Sequence, residues 1–195
     1  MDKLLAILTL VAAIMMSGGV TSHSQSANIP QPPSPDVFLP DPQKSPGEAD
    51  PDVTVQDVCT PGYSKRVRHV TEDTKRSVCA SYGVTCTAQT YEVDHIIPLV
   101  IGGTNNPANL FPQSYQTCPY NAWVKDRLEK FMHSSVCKIL KEYGEDAATK
   151  ILHVYQHEIA TNWVEAYERY IVQTGRVKGD KSAERCEIGG KTTIE

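Results

Sequence analysis

The residues best equipped for chemistry lie between positions 91 and 129. Asp94 and His95 stand side by side after Tyr91-Glu92-Val93, and Ile96-Ile97-Pro98-Leu99 and Gly102-Gly103 follow. Asn109, Asn121 and Lys125 come next. A histidine ionises near neutrality, so His95 has the acidity to take a proton from water. Carboxylate and amide oxygens are the hard donors that Mg²⁺ or Mn²⁺ prefers. Asp94 offers the first and Asn121 the second. A water-activating base beside such a cation suits hydrolysis at a centre where negative charge develops. Asn121 has another reading, because asparagine is also a common helix N-cap.

These residues need elements that bring them together. Tyr91 to Val100 is rich in Val and Ile and broken by Pro98, which predicts a strand running into a loop. Gly102-Gly103-Thr104-Asn105-Asn106-Pro107 is a dense turn signal, and Asn109-Leu110-Phe111 reads as a short return strand ended by Pro112. From Asn121, the residues Trp123, Val124, Arg127, Leu128, Phe131, Met132, Val136, Ile139 and Leu140 recur at helical spacing up to Gly144. A second helix is expected from about Glu145 to Val172, burying Leu152, Tyr155, Ile159, Trp163 and Tyr167. His153 and His157 on it read as a surface pair. A shorter helix over 72–82 stops at Gly83. The helix beginning at Asn121 points its positive dipole end and free N–H groups toward the Asp-His pair, which favours an anion there. Lys125 lies one turn on, on the same face as Asn121, and is expected to meet that anion. Glu129 gives it an ordinary i,i+4 partner.

The ends of the chain read differently. Lys3, the apolar run from Leu4 to Met16 and the small residues Gly18 to Ser22 have the layout of a secretory signal peptide over 1–22, extending up to 27. Residues 28–52 are rich in proline and acids and read as an extended, mobile linker, so the folded domain is placed at 53–195. Export makes the even set Cys59, Cys79, Cys86, Cys118, Cys137 and Cys186 legible as disulfide partners of open connectivity. No Cys-x-x-Cys pair favours a zinc staple.

The ordered run Asp94-His95-Ile96-Ile97-Pro98-Leu99, Gly102-Gly103, Asn109-Leu110-Phe111-Pro112 and Asn121-Ala122-Trp123-Val124-Lys125-Asp126-Arg127-Leu128-Glu129 resembles a group of bacterial HNH endonucleases. Phe111 stands where that group carries Trp. The resemblance spans residues 59 to about 170 and is tightest over 91–131. It implies an α+β chain with a ββα-metal (HNH, or His-Me finger) core, here followed by two long C-terminal helices and stabilised by disulfides. It implies His95 as general base, Asn109 as the residue that locks the loop and orients that base, and Asp94 and Asn121 as metal ligands. An Asn at the third position tilts the cation toward Mg²⁺, with Mn²⁺ as the other candidate.

The resemblance further implies hydrolysis of phosphodiester bonds, in DNA rather than RNA, and the neutral domain with its acidic linker argues for weak contact of little sequence specificity. Lys125, Arg66 and Arg68 are the expected contacts to the phosphate backbone, and Glu92 is expected to pair with Arg68. The 195-residue chain has a formal net charge of −4, so no overall basic field announces a nucleic-acid partner. Most of the excess acid sits in 28–52, where Asp36, Asp41, Glu48, Asp50 and Asp52 face only Lys44. No apolar run reaches the roughly 20 residues of a membrane span, which excludes a multi-pass membrane protein. The expected compartment is periplasmic or extracellular, with no integral membrane association once the signal is cleaved. The sequence carries no mark of an immunity protein partner. The rival reading is an exported, non-catalytic module that binds nucleic acid or protein on the same scaffold.

Overall fold

The computed structural model describes residues 39–177, so the signal peptide, residues 28–38 of the expected linker and Cys186 lie outside the described residues. Two five-residue helices come first, α1 (Val55–Cys59) and α2 (Tyr63–Val67), followed by α3 (Glu72–Ser81). Thr54 starts α1 with a reciprocal cap: its hydroxyl accepts from the Asp57 N–H, and the Asp57 carboxylate accepts from the Thr54 N–H. Strands β1 (Tyr91–His95) and β2 (Leu110–Ser114) form an antiparallel pair in which Glu92 faces Gln113 and Asp94 faces Phe111. Two single 3-10 turns, Leu99–Ile101 and Pro107–Asn109, fill the connection between them. Helix α4 (Ala122–Tyr143) and helix α5 (Glu145–Tyr167) follow, joined by Gly144 and leading into a π-type turn over Glu168–Val172.

The chain is therefore α+β, with a two-stranded sheet and two long C-terminal helices. The expected apolar stripes face each other: Leu128, Met132 and Val136 of α4 and Leu152, Tyr155, Ile159 and Trp163 of α5 are all buried in one cluster. Val55 and Val58 of α1 and Ile97 and Ile101 of the β1–β2 connection close it. Burying each such side chain stabilises the fold by about 1.5–3 kcal/mol. Among the described residues no helix is long and apolar enough to cross a membrane.

Three expectations need correction. Strand β2 does not end at Pro112 but runs through it to Ser114. In a two-stranded sheet both strands are edges, where a proline lacking its N–H is tolerated. Helix α5 is broken at Asn162, which leaves helical geometry and whose side-chain oxygen accepts from the N–H groups of Val164 and Glu165, restarting the helix as a cap. The domain does not wait until Val53. Ser45 is buried and donates to the Leu110 carbonyl at 2.6 Å, the Gly47 N–H donates to the Ala108 carbonyl at 2.9 Å, and Ala49 bridges Gly103. Residues 45–50 are thus laid onto the hairpin connection.

Two disulfides brace this arrangement. Cys59–Cys137 ties the end of α1 to α4 across 78 residues, and Cys79–Cys86 ties the last turn of α3 to the segment that follows it, seven residues on. Cys118 is also disulfide-bonded.

Candidate active site

Strand β1 stops at His95 because its partner strand is replaced by a clamp. The Ile96 N–H donates to the Asn109 carbonyl at 2.8 Å. The Asn109 side chain then takes over: its Oδ1 accepts from the N–H groups of Ile97 at 2.9 Å and Glu48 at 3.1 Å. Its Nδ2 donates to the carbonyls of Ile97 and Thr104, both at 2.9 Å. Asn109 is fully buried and fully used, which makes it the lock of the loop and leaves it no atom for substrate. Gly103 completes the clamp, since a Cβ there would lie 1.7 Å from the Ile97 carbonyl oxygen and 2.8 Å from Asn109 Nδ2. Its role is close approach of backbone to backbone.

This clamp fixes His95. The ring is only 1% exposed, and its Nε2 lies 3.2 Å from Asn105 Oδ1. Asn105 is oriented by donating from Nδ2 to the Val67 carbonyl at 2.7 Å and by accepting from the His69 N–H at 3.2 Å. An oxygen facing Nε2 requires the proton to sit there, which leaves the Nδ1 lone pair as the basic site. Burial pushes the His95 pKa below its ordinary 6.5, against the pull of Asp94, so the ring is neutral at neutral pH. Asn105 is a site residue that the turn signal alone conceals: Gly-Gly-Thr-Asn-Asn-Pro predicts a bend, and any of its polar side chains satisfies that.

Asp94 is held from the helix side. Lys125 Nζ donates to Asp94 Oδ2 at 2.6 Å, to the His95 carbonyl at 2.7 Å and to Glu129 Oε1 at 2.5 Å. All three ammonium protons are used and the side chain is 1% exposed. Lys125 is therefore not the expected phosphate contact, and its pair with Glu129 is not an ordinary surface pair. It is a buried tie between α4 and the end of β1. Burial works against its charge, but Asp94 and Glu129 outweigh that and hold its pKa above the usual lysine range. Burial pushes the Glu129 carboxyl up, against the pull of Lys125.

Asn121 caps α4, its Oδ1 accepting from the Val124 N–H at 3.2 Å, and is 2% exposed. The cap reading is thus realised at the position also expected to bind metal. Arg66 is exposed and leans on the Tyr63 ring at 5.8 Å. Arg68 is exposed, and its charge adds to burial in lowering the His95 pKa and opposes the burial that pushes the Asp126 carboxyl up, so it borders the site. The expected Arg68–Glu92 pair is absent among the described residues. Glu92 instead accepts from the Tyr115 hydroxyl at 2.7 Å, and the Tyr115 ring packs tilted against Trp123 with centroids 4.9 Å apart. Burial, reinforced by Asp94 and Asp126, pushes Glu92 up to about 7. The carboxylates of Glu92 and Asp94 on β1 thus accompany a buried neutral imidazole at the end of the same strand. Carboxylate oxygens are hard donors of the kind Mg²⁺ takes, but among the described residues no group of three or more His, Cys, Asp or Glu side chains is placed to hold a metal ion.

Comparison with family models, curated proteins and solved structures finds no match to this chain.

Proposed function

We propose that this chain is an exported, metal-dependent endonuclease of the HNH type that hydrolyses phosphodiester bonds of DNA with little sequence specificity. The observation that carries the reading is the fixed, neutral His95, presented with Nδ1 as its basic atom at the end of β1 by the Asn109 clamp and Asn105. Around it stand an antiparallel hairpin and the capped start of α4, the order in which the resemblance places them.

Each residue then has a task. His95 Nδ1 takes the proton of the attacking water, and Asn105 holds the ring by its other nitrogen. Being buried, the imidazole acts on a water admitted to it rather than on bulk solvent. Asp94 would hold a hard cation such as Mg²⁺ or Mn²⁺, which supplies charge against the developing phosphorane. Lys125 keeps Asp94 and the His95 backbone in place. Arg68, exposed beside the site, is the available contact to a phosphate backbone. Export rests on the signal-like N-terminus, and the two described disulfides are compatible with it.

The burial of His95 also favours a second reading, a non-catalytic binding module in which the imidazole is structural. Supercoiled-plasmid nicking by the oxidised protein separates the two. Nicking that needs Mg²⁺ or Mn²⁺ and stops with EDTA supports the nuclease; intact plasmid under every cation, with the protein folded, supports the module.

A further inference from the structure

We propose that Glu48 is a positioning residue for His95: it holds the residues on both sides of Asn105 and thereby keeps the imidazole proton on Nε2. The effect on cleavage rests on the nuclease reading, whereas the effect on the tautomer does not.

Asn105 faces the ring with its Oδ1 3.2 Å from His95 Nε2. That is the long end of an N–H···O bond, so a small outward shift of the loop weakens it. The Val67 carbonyl and the His69 N–H orient the Asn105 amide. The backbone of Asn105 is placed by its two neighbours, and both are bonded to Glu48. The Thr104 N–H donates to the Glu48 carbonyl at 3.0 Å, and Asn106 Nδ2 donates to Glu48 Oε1 at 2.8 Å. The Glu48 N–H adds a third bond, to Asn109 Oδ1 at 3.1 Å. One residue, 58 positions before Asn106, thus spans the loop that carries Asn105.

Glu48 is itself placed from both sides. The Gly47 N–H donates to the Ala108 carbonyl at 2.9 Å, and the Asp50 N–H donates to the Gly102 carbonyl at 2.8 Å. Gly47 lets the chain in close, since a Cβ there would lie 3.0 Å from Ala160 Cβ and 3.2 Å from Cγ2 of Ile96, the residue after His95. Main-chain bonds of this kind are open to any residue at 48, so the carboxylate is what Glu48 adds. A hydrogen bond to a carboxylate is roughly twice as strong as one to a neutral acceptor. It reaches Asn106, which is exposed and gains little from packing. Without it, Asn106 keeps bonds within its own turn, and Asn105 Oδ1 is free to draw away from Nε2. The ring proton is then shared between Nε2 and Nδ1, and the basic lone pair no longer stays on Nδ1.

The test is nuclear magnetic resonance of the histidine ring nitrogens at pH 8, in the oxidised full chain carrying ¹⁵N-labelled histidine. The signal missing from His95→Gln assigns the ring. Wild type is expected to show His95 protonated on Nε2. In Glu48→Ala and in Asn106→Ala, the two ring nitrogens are expected to move toward the common value of an averaged tautomer. Glu48→Gln, whose amide oxygen still accepts from Asn106, is expected to restore the wild-type pattern. Glu48→Ala with Asn106→Ala is expected to shift the ring no further than either change alone, because the two residues form one bond. Near-ultraviolet circular dichroism confirms folding, and Asn106→Ala at an exposed turn stands in if Glu48→Ala does not fold. Plasmid nicking is expected to fall about tenfold in both alanine variants and to recover in Glu48→Gln. A wild-type ring protonated on Nδ1, or folded alanine variants whose ring nitrogens match wild type, would overturn the proposal even if nicking falls. A tautomer that follows Glu48 in a protein that never nicks DNA would sink the nuclease reading alone.

Discussion

Replacing Lys125 by methionine tests the electrostatic frame of the site. The ammonium serves three acceptors: Asp94 Oδ2, Glu129 Oε1 and the His95 carbonyl. Methionine has similar length and fills the space, so the loss is electrostatic rather than a cavity. Removing one partner of a buried ion pair costs about 3–5 kcal/mol. Two features lower the figure here. The Asp94 and Glu129 side chains keep 18% and 16% exposure, and Glu129, already pushed up by burial, can take a proton once the lysine is gone. We therefore expect a loss of about 3 kcal/mol at pH 8, or about 6–12 °C in melting temperature, and a smaller loss at pH 5. Lys125→Met with Glu129→Leu is expected to recover part of the loss at pH 8. Urea denaturation at both pH values reads these differences. A loss below about 1 kcal/mol at pH 8, the range of an exposed pair, would refute the buried-tie reasoning.

Further outcomes follow from the same contacts. Opening Cys59–Cys137 by Cys59→Ser with Cys137→Ser is expected to cost about 4 kcal/mol, against about 2.5 kcal/mol for the shorter Cys79–Cys86 loop, in chemical denaturation. In the presence of EDTA, Glu92 has a folded-state pKa raised from 4.5 to about 7. Between those values the folded chain holds a proton that the unfolded chain has lost, so this group's contribution to stability falls as pH rises. Glu92→Gln removes that fall and is expected to melt above wild type at pH 8; an unchanged pH slope would contradict it. Since burial lowers the His95 pKa, the acid limb of the pH profile for cleavage is expected below pH 6.5, and a limb above that value would contradict the buried neutral base.

How far the sequence disclosed this structure depends on whether the signal was local. The stripes of α4 and α5 were legible because each repeats over several turns and Gly144 punctuates them. Helices α1 and α2 were not, since five residues hold too little periodicity. Proline and acid content in 39–52 predicts an extended chain, which is what forms; composition does not say that an extended chain will be tied down by Ser45, Gly47 and Ala49. Within the site, His95, Asp94 and Asn109 stood out by type and order. Lys125 was misplaced because a lysine is normally exposed, and its two carboxylate partners lie on different elements, one of them distant in sequence. Asn105 and Gln113 are ordinary turn and strand residues until pairing shows what each faces.

The most direct measurement of the central claim is single-turnover cleavage of supercoiled plasmid by oxidised wild-type protein and His95→Ala, at pH 7 with Mg²⁺ and Mn²⁺ each tried. Near-ultraviolet circular dichroism confirms that both are folded. The account predicts cation-dependent nicking by wild type and a loss of about 100-fold or more in His95→Ala, the scale of a general base. Cleavage by folded His95→Ala at the wild-type rate would contradict it.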